Sequence, residues 1–158
     1  HAAHDGRTQR RAGERSDLLA GYLKRLFSED VRVYVPFARA WSEYEASCST
    51  LLPNPELARQ YSEESIGLAR LEAHYFSRDC FLTPDQLLGG VHRIRHLPAS
   101  IVHGRYDMVC PIASADELAR AWPDAHYEIV ADGGHSVWER PMRAAVIREV
   151  ERFKHLLG

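Results

Sequence analysis

The sequence predicts an α/β fold, in which a mostly helical region precedes a strand, a helix and a second strand in the last third of the chain. Residues 99–103 and 126–130 are short apolar runs with β-branched side chains, a pattern typical of buried strands. Between them, Ser114 and Glu117 have the spacing of a capping box that opens a helix, and Pro123 follows that helix. A strand, a helix and a strand in this order indicate a parallel sheet.

A closing amphipathic helix is predicted after the second strand. Pro141 suits its first turn, because a proline there gives up no intrahelical hydrogen bond. Apolar side chains then recur at helical spacing at Val146, Val150, Phe153 and Leu157. Residues 97–158 are therefore expected to form the last two parallel strands of an α/β core with their helices.

The region ahead of the first strand is expected to be a helical domain. Apolar periodicity predicts helices over residues 16–27, 37–48, 62–76 and 85–92, with Ser62 capping the third. The first fifteen residues are basic, rich in histidine and without periodicity, so a disordered extension or junction is expected there. The predicted organisation is a junction over 1–15, a helical cap over 16–96 and a core portion over 97–158.

Two polar residues follow the predicted strands. Gly104 closes the first strand just before Asp107, and the turn Asp132-Gly133-Gly134 precedes His135. Sites in open α/β sheets form at the carboxyl ends of the strands, so the two side chains are expected at one edge. An acid there can hold an imidazole in one tautomer while it takes a proton. Either residue alone would more often be a turn former or a surface residue, but the pair favours a catalytic acid and base.

Composition limits the classes of partner. The chain has 158 residues, 45% of them hydrophobic, and a formal charge of −2, without the basic bias of a nucleic-acid or membrane-surface binder. It lacks an apolar stretch near the ~18 residues of a membrane span, and its polar start does not resemble a signal peptide, so a cytoplasmic protein is expected. The odd number and the spacing of Cys48, Cys80 and Cys110 favour free thiols over a disulfide framework or a zinc site.

Two further groups are weak candidates. His92 and His96 would share one face of a continuous helix, but no third metal ligand accompanies them, so no zinc site is expected. A second group is aromatic and either lines a small apolar pocket or belongs to the core. Its members are Trp41, Tyr44, Tyr75 and Phe76.

Several segments resemble one enzyme family. HGRYDMVCP at 103–111, AWPDA at 121–125 and GGHS at 133–136 look like the carboxyl-terminal part of proline iminopeptidases, which are serine exopeptidases of the α/β-hydrolase fold. ARAWSEYEAS at 38–47 and ARLEAHYF at 69–76 resemble two cap segments of that family, with Tyr44 where the family usually has tryptophan. The resemblance covers roughly residues 14–158. It implies the carboxyl-terminal portion of an α/β-hydrolase fold preceded by a mostly helical cap.

The resemblance also implies roles for individual residues. Asp107 would be the acid of the catalytic triad and His135 its general base, with no cofactor required. Glu45 and Glu72 would receive the α-ammonium group of a peptide with a free amino-terminal proline, because a buried cation needs compensating charge. Without the resemblance, both glutamates would be taken for a solvated helix face. Glu43, two residues from Glu45, is the competing choice for the first position.

The nucleophile is not in this sequence. An α/β-hydrolase serine needs a tight elbow of the form Gly-x-Ser-x-Gly, and no such string occurs. The chain is therefore expected to be the second half of an enzyme whose amino-terminal half carries the serine and the oxyanion donors. Two alternatives stay open: another α/β-hydrolase, such as an esterase or an epoxide hydrolase, and a non-catalytic remnant or interaction module.

Overall fold

The computed structural model of the chain describes residues 17–64 and 66–157, without the side chains of 62–64 and 157. The predicted junction over 1–15 lies outside the described residues. The helices are α1 (Leu18–Leu26), α2 (Val31–Ser49), α3 (Pro55–Glu64), α4 (Ile66–Phe76), α5 (Gln86–Gly90), α6 (Ile112–Ala121) and α7 (Arg140–Leu157). The strands are β1 (Ser100–Gly104) and β2 (His126–Val130), and short 3-10 turns cover Asp79–Phe81 and Val91–Arg93.

The chain divides into two compact units. Of the described residues, the first unit contains 17–46, 54–64 and 66–83, and the second contains 47–53 and 84–157. Within the described residues, no helix is both long enough and apolar enough to cross a bilayer.

The first unit is helical and has an alanine-rich core. Its buried cluster consists of Leu26, Ala38, Ala69 and Ala73, against which Tyr22, Leu23, Phe37, Trp41 and Ile66 pack. Small side chains at the contacts allow helix axes to approach closely, and the aromatic rings fill the space around them. The Asp17 carboxylate accepts the Ala20 N–H at 2.9 Å, which satisfies a backbone donor at the start of α1.

The second unit contains a two-stranded parallel sheet in which β1 pairs with β2 from Ser100–His126 to Gly104–Val130. The two strands are connected through α6, so the predicted strand, helix and strand are confirmed. On one side, Met142 and Ala145 of α7 pack against Val130 and Val102. The sheet and these helices form the carboxyl-terminal portion of an α/β core.

A polar contact also joins α7 to the sheet. The buried Glu149 accepts the Ser100 hydroxyl at 2.5 Å and the Arg152 Nε–H at 2.8 Å. The bond from the Ser100 hydroxyl is the main reason why the pKa of Glu149 lies below its usual value.

Several helix predictions were wrong in their starts. The helix between the strands begins at Ile112 rather than at a Ser114 cap, because Pro111 fixes an extended backbone immediately before it and Ser114 lies inside α6. The helix predicted from Ser62 begins earlier, because α3 starts at Pro55 and Ser62 lies within it instead of capping it. The helix predicted from Phe37 begins earlier, at Val31, because the Asp30 carboxylate caps it by accepting the Arg32 N–H. Pro36 therefore lies inside this helix.

Two further helices differ in extent or in face. The predicted helix 85–92 is a five-residue α5 followed by the 3-10 turn Val91–Arg93. The closing helix starts at Arg140 as its proline predicts, but its buried positions are Met142, Ala145 and Glu149. Val150 is 54% exposed, so the predicted apolar stripe is only partly the packed face.

Candidate active site at the carboxyl ends of the strands

The loops after the two strands are docked on each other through backbone hydrogen bonds. The Arg105 N–H donates to the Val130 carbonyl at 2.9 Å, and the Tyr106 N–H donates to the Gly133 carbonyl at 3.0 Å. A β-carbon on Gly104 would lie 2.0 Å from the Gly134 carbonyl oxygen, so only glycine permits this approach. The glycine after β1 therefore lets the two loops meet.

Asp107 lies in the first of these loops, and both of its carboxylate oxygens are used. Oδ1 accepts the N–H groups of Val109 at 2.9 Å and Cys110 at 2.7 Å. Oδ2 lies 3.0 Å from Nδ1 of His135, and only 5% of the Asp107 side chain is exposed. A carboxylate this buried requires such donors, and here they also fix its orientation.

The contact between Asp107 and His135 fixes the tautomer of the imidazole. An ionised carboxylate can only accept, so the hydrogen lies on Nδ1 of His135. In the neutral ring, Nε2 then carries the lone pair and can take a proton. The side chain of His135 is 40% exposed, which leaves Nε2 accessible to a reacting group.

A second imidazole lies beside the same carboxylate. Nε2 of His103, at the end of β1, is 3.0 Å from the Cys110 carbonyl and 3.6 Å from Oδ2 of Asp107. Because a carbonyl oxygen only accepts, Nε2 of His103 carries a hydrogen, which it donates to Cys110 while lying near Asp107. His103 thus adds a further positive dipole to the environment of the acid.

The two glutamates predicted to bind substrate lie in the first unit. Glu72, on α4, is half-buried, and its Oε2 accepts the indole N–H of Trp41 at 2.8 Å. Glu45 is half-buried on α2, next to the buried Ala46, whereas Glu43 is exposed.

The aromatic group predicted as pocket or core separates into two kinds. Trp41 packs against the buried cluster of the first unit and stacks on Phe76 with ring centroids 6.1 Å apart. Tyr44 is 70% exposed, and Tyr75 and Phe76 are each almost half exposed. Of these four aromatic residues, only Trp41 therefore packs against the core of the first unit.

The described residues contain one group with metal-ligand geometry, and it is not the predicted pair. His126, Glu128 and Glu149 place one ligand atom each within 4.8 Å of one another. Arg148 and Arg152 already pair with the two carboxylates, so their charge is compensated without a metal ion. His92 lies in a 3-10 turn and His96 beyond it, so the continuous helix that would align them is absent.

Comparison with known structures places this arrangement in a fold class. No family model matches the chain. An esterase from Exiguobacterium antarcticum superposes with a TM-score of 0.58 over 87% of this chain and 48% of its own, at 17% identity, and this likeness concerns the fold alone. The parallel sheet and its docked loops therefore form the carboxyl-terminal portion of an α/β-hydrolase fold.

Sequence comparison is more specific. The chain is 41% identical over 143 residues to a probable proline iminopeptidase of Leptolyngbya boryana, which covers 89% of this chain and 44% of that protein. The proline iminopeptidase of Arabidopsis thaliana is 40% identical, with 90% of this chain and 38% of that protein covered. That of Xanthomonas citri is 39% identical, with shares of 89% and 46%. The chain is thus a relative of the proline iminopeptidases, and it spans less than half the length of these curated relatives.

Sequence reasoning missed two residues of this site, His103 and Glu139. His103 was read only as the end of a strand. Glu139 directly precedes α7, where an acid is ordinarily explained by the helix N-terminus. Its carboxylate instead accepts the Gly134 N–H at 2.7 Å and the Leu51 N–H at 2.8 Å. The contact with Leu51 has no sequence signal, because it depends on how two segments 88 residues apart in sequence meet.

Proposed function

We propose that this chain carries the acid and the base of a proline iminopeptidase, a serine exopeptidase that releases amino-terminal proline from peptides. The observation that carries the proposal is the 3.0 Å contact between Asp107 and Nδ1 of His135 at the carboxyl ends of two parallel strands. The names of its relatives support the choice of substrate.

In the proposed reaction, a serine hydroxyl attacks the carbonyl carbon of the amino-terminal proline residue. Nε2 of His135 takes the hydroxyl proton and passes it to the leaving amine, so the peptide C–N bond breaks and a prolyl ester forms. Water, deprotonated by the same nitrogen, then hydrolyses the ester and regenerates the serine. Asp107 holds the imidazole and stabilises its protonated form in both steps.

Glu45 and Glu72 are the proposed acceptors of the substrate's α-ammonium group. The half-buried position of Glu45 favours it over the exposed Glu43, because a partly desolvated carboxylate attracts a cation more strongly. The hydrogen bond from Trp41 holds one oxygen of Glu72 and leaves the other available to a ligand.

The serine is proposed to come from an amino-terminal half that pairs with this chain. Residues 16–96 would act as the helical cap, 97–158 as the end of the core, and 1–15 as a junction without a function. Support comes from the missing Gly-x-Ser-x-Gly string and from the share of the relatives that the chain covers.

A cytoplasmic location is also proposed. None of the three cysteines forms a disulfide, and Cys80 and Cys110 are exposed, which suits a reducing compartment. Cell fractionation with an antibody against the chain would test it, and recovery from the extracellular medium would contradict it.

The test of activity uses a fusion protein, in which the part of the Leptolyngbya boryana relative that this chain does not match is joined to this chain. Its substrates are a proline arylamide, the same arylamide acetylated on the proline nitrogen, and a simple aryl ester. We expect turnover of the free-amine arylamide and its loss on acetylation, because only an aminopeptidase requires the cation.

The other outcomes are equally informative. Equal turnover of both arylamides, or of the ester alone, would indicate another α/β-hydrolase. Inactivity of a well-folded fusion protein on all three substrates would favour a non-catalytic remnant. The Asp107→Asn variant is the control for the site, and we expect kcat to fall by about 10⁴, because the imidazole then adopts the wrong tautomer.

A further inference from the structure

We propose that Glu139 is a positioning residue for His135, which acts by bridging the loop of that histidine to the segment that follows α2. The inference rests on the proposed function for its catalytic consequence, but not for the bridge itself. The ring of His135 is 40% open to solvent, and its contact with Asp107 fixes only one edge of the ring.

Packing therefore holds the imidazole only in part, and the peptide groups on either side of His135 contribute to its position. Both neighbours are tied. The Gly134 N–H donates to Oε2 of Glu139 at 2.7 Å, and the Ser136 N–H donates to the Ser49 carbonyl at 2.8 Å. The backbone is thus held by a hydrogen bond on each side of His135.

The second oxygen of Glu139 extends the anchor. Oε1 accepts the Leu51 N–H at 2.8 Å, so one carboxylate joins two segments that are 88 residues apart in sequence. Residues 47–53, which contain Ser49 and Leu51, belong to the same compact unit as the two strands. The segment and the loop of His135 are therefore parts of one compact unit.

The chemistry of the bridge requires a carboxylate. It must accept from two N–H donors that approach from different segments, and a carboxylate has two acceptor oxygens and no donor. A glutamine has one acceptor, so it would present an N–H₂ group to one of the two backbone donors. The bridge also requires glycine at position 134, since a β-carbon there would lie 2.8 Å from Oε2 of Glu139 and 2.9 Å from the Leu51 nitrogen.

The expected role follows from the geometry of proton transfer. A base displaced by about 1 Å loses on the order of 100-fold in rate, because the reacting atoms leave their aligned positions. The hydrogen bonds of Glu139 go to the backbone N–H groups of Gly134 and Leu51, so it would act through the position of His135. Its loss should therefore lower kcat while the binding of the substrate, which depends on other groups, is retained.

The experiment compares Glu139→Gln with Glu117→Gln in the fusion protein. Glu117 is an exposed glutamate on α6 without a role in either loop, so it controls for the change of charge. Hydrogen exchange measures the bridge directly. We expect the amides of residues 47–53 and 131–136 to exchange faster in Glu139→Gln only, and unchanged exchange in both segments would overturn the proposal.

Kinetics on the proline arylamide test the consequence. We expect kcat of Glu139→Gln to fall about ten- to a hundredfold, with KM within about twofold of the parent. A kcat equal to that of Glu117→Gln would overturn the positioning role, as would a rise in KM that accounts for the whole loss. If the parent itself is inactive, the proposed function fails, and hydrogen exchange still decides whether the bridge exists.

A second variant keeps the proposal testable if Glu139→Gln does not fold. If Glu139→Gln loses its cooperative melting transition, Glu139→Asp is measured instead, which keeps two acceptor oxygens on a side chain one methylene shorter. Faster exchange in both segments with a lower kcat supports the bridge. Parent-like exchange and kcat in the aspartate variant would overturn it, because the shorter side chain cannot span both donors.

Discussion

At the level of single residues, the side chain of Asp107 is held in place by hydrogen-bond donors on both of its oxygens. Asp107 accepts two backbone N–H groups on one oxygen, and the other oxygen faces His135 and, at 3.6 Å, Nε2 of His103. Donors on both oxygens prevent the carboxylate from rotating, and a fixed carboxylate fixes the imidazole that it holds.

Gly104 is the residue on which the meeting of the two loops depends. We expect Gly104→Ala to destabilise the fusion protein by about 1–3 kcal/mol, because the new methyl group would lie 2.0 Å from the Gly134 carbonyl oxygen and would separate the loops. Urea denaturation measures the free energy of unfolding, and the proline arylamide measures activity, which should fall as well.

Gly89→Ala is the matched control for that substitution. A β-carbon on Gly89 meets nothing within 4 Å, and the residue lies in α5, where alanine is the better helix former. Its stability should be unchanged or higher by about 0.5–1 kcal/mol. If the two variants had equal stability, the close approach at Gly104 would not be a structural requirement.

At the scale of secondary-structure elements, the strand β2 and the helix α6 are joined by one polar contact. The hydroxyl of Tyr127 on β2 donates to the Asp116 carboxylate on α6 at 2.7 Å. Burial of the phenol, followed by this hydrogen bond, raises the pKa of Tyr127 from 10.0 to about 12. The contact therefore depends on the hydroxyl proton of Tyr127, which the unfolded chain loses at a lower pH than the folded chain.

This shift predicts a pH dependence of stability. A raised pKa in the folded state stabilises fully below the unfolded value of 10.0, and the stabilisation is lost as the pH rises from there to about 12. The difference in the free energy of unfolding between the parent fusion protein and Tyr127→Phe should therefore shrink over that interval. Urea denaturation at several alkaline pH values measures it, and a constant difference would contradict the raised pKa of Tyr127.

The predicted strand β2 and the predicted helix α6 differ in how well their bounds agree with the structure. Strand β2 was predicted with its observed bounds, because an apolar run closed by a turn has few alternatives. The start of α6 was not, since Ser114 and Glu117 form a capping pattern wherever they stand, and only the backbone at Pro111 decides that the helix begins earlier. Local patterns identify an element more reliably than its first residue.

At the scale of the whole molecule, the sheet is small for the fold to which it belongs. Among the described residues it has two strands, β1 and β2, with one edge of each unpaired. Large apolar side chains beside it are open to solvent, including Ile129 at 37% and Ile147 at 54%. A two-stranded sheet is marginal by itself, because it buries too little apolar surface.

We therefore expect the isolated chain to associate or aggregate and the fusion protein to be monomeric with a sharp melting transition. Sedimentation measures the association state, and calorimetry measures the cooperativity of unfolding. A monomeric isolated chain with a sharp, cooperative melt would contradict the prediction, because it would mean that the two strands and their helices need no further partner.

The α/β class, the strands, the closing helix, the placement of Asp107 and His135 after the strands and the similarity to proline iminopeptidases can all be predicted from the amino-acid sequence. Each of these depends on neighbouring residues or on short motifs. Only the folded chain reveals that Gly104 approaches Gly134, that His103 lies beside Asp107 and that Glu139 joins Gly134 to Leu51. These contacts connect residues brought together by the meeting of loops, and no local periodicity or motif encodes which backbone donor a distant carboxylate will reach.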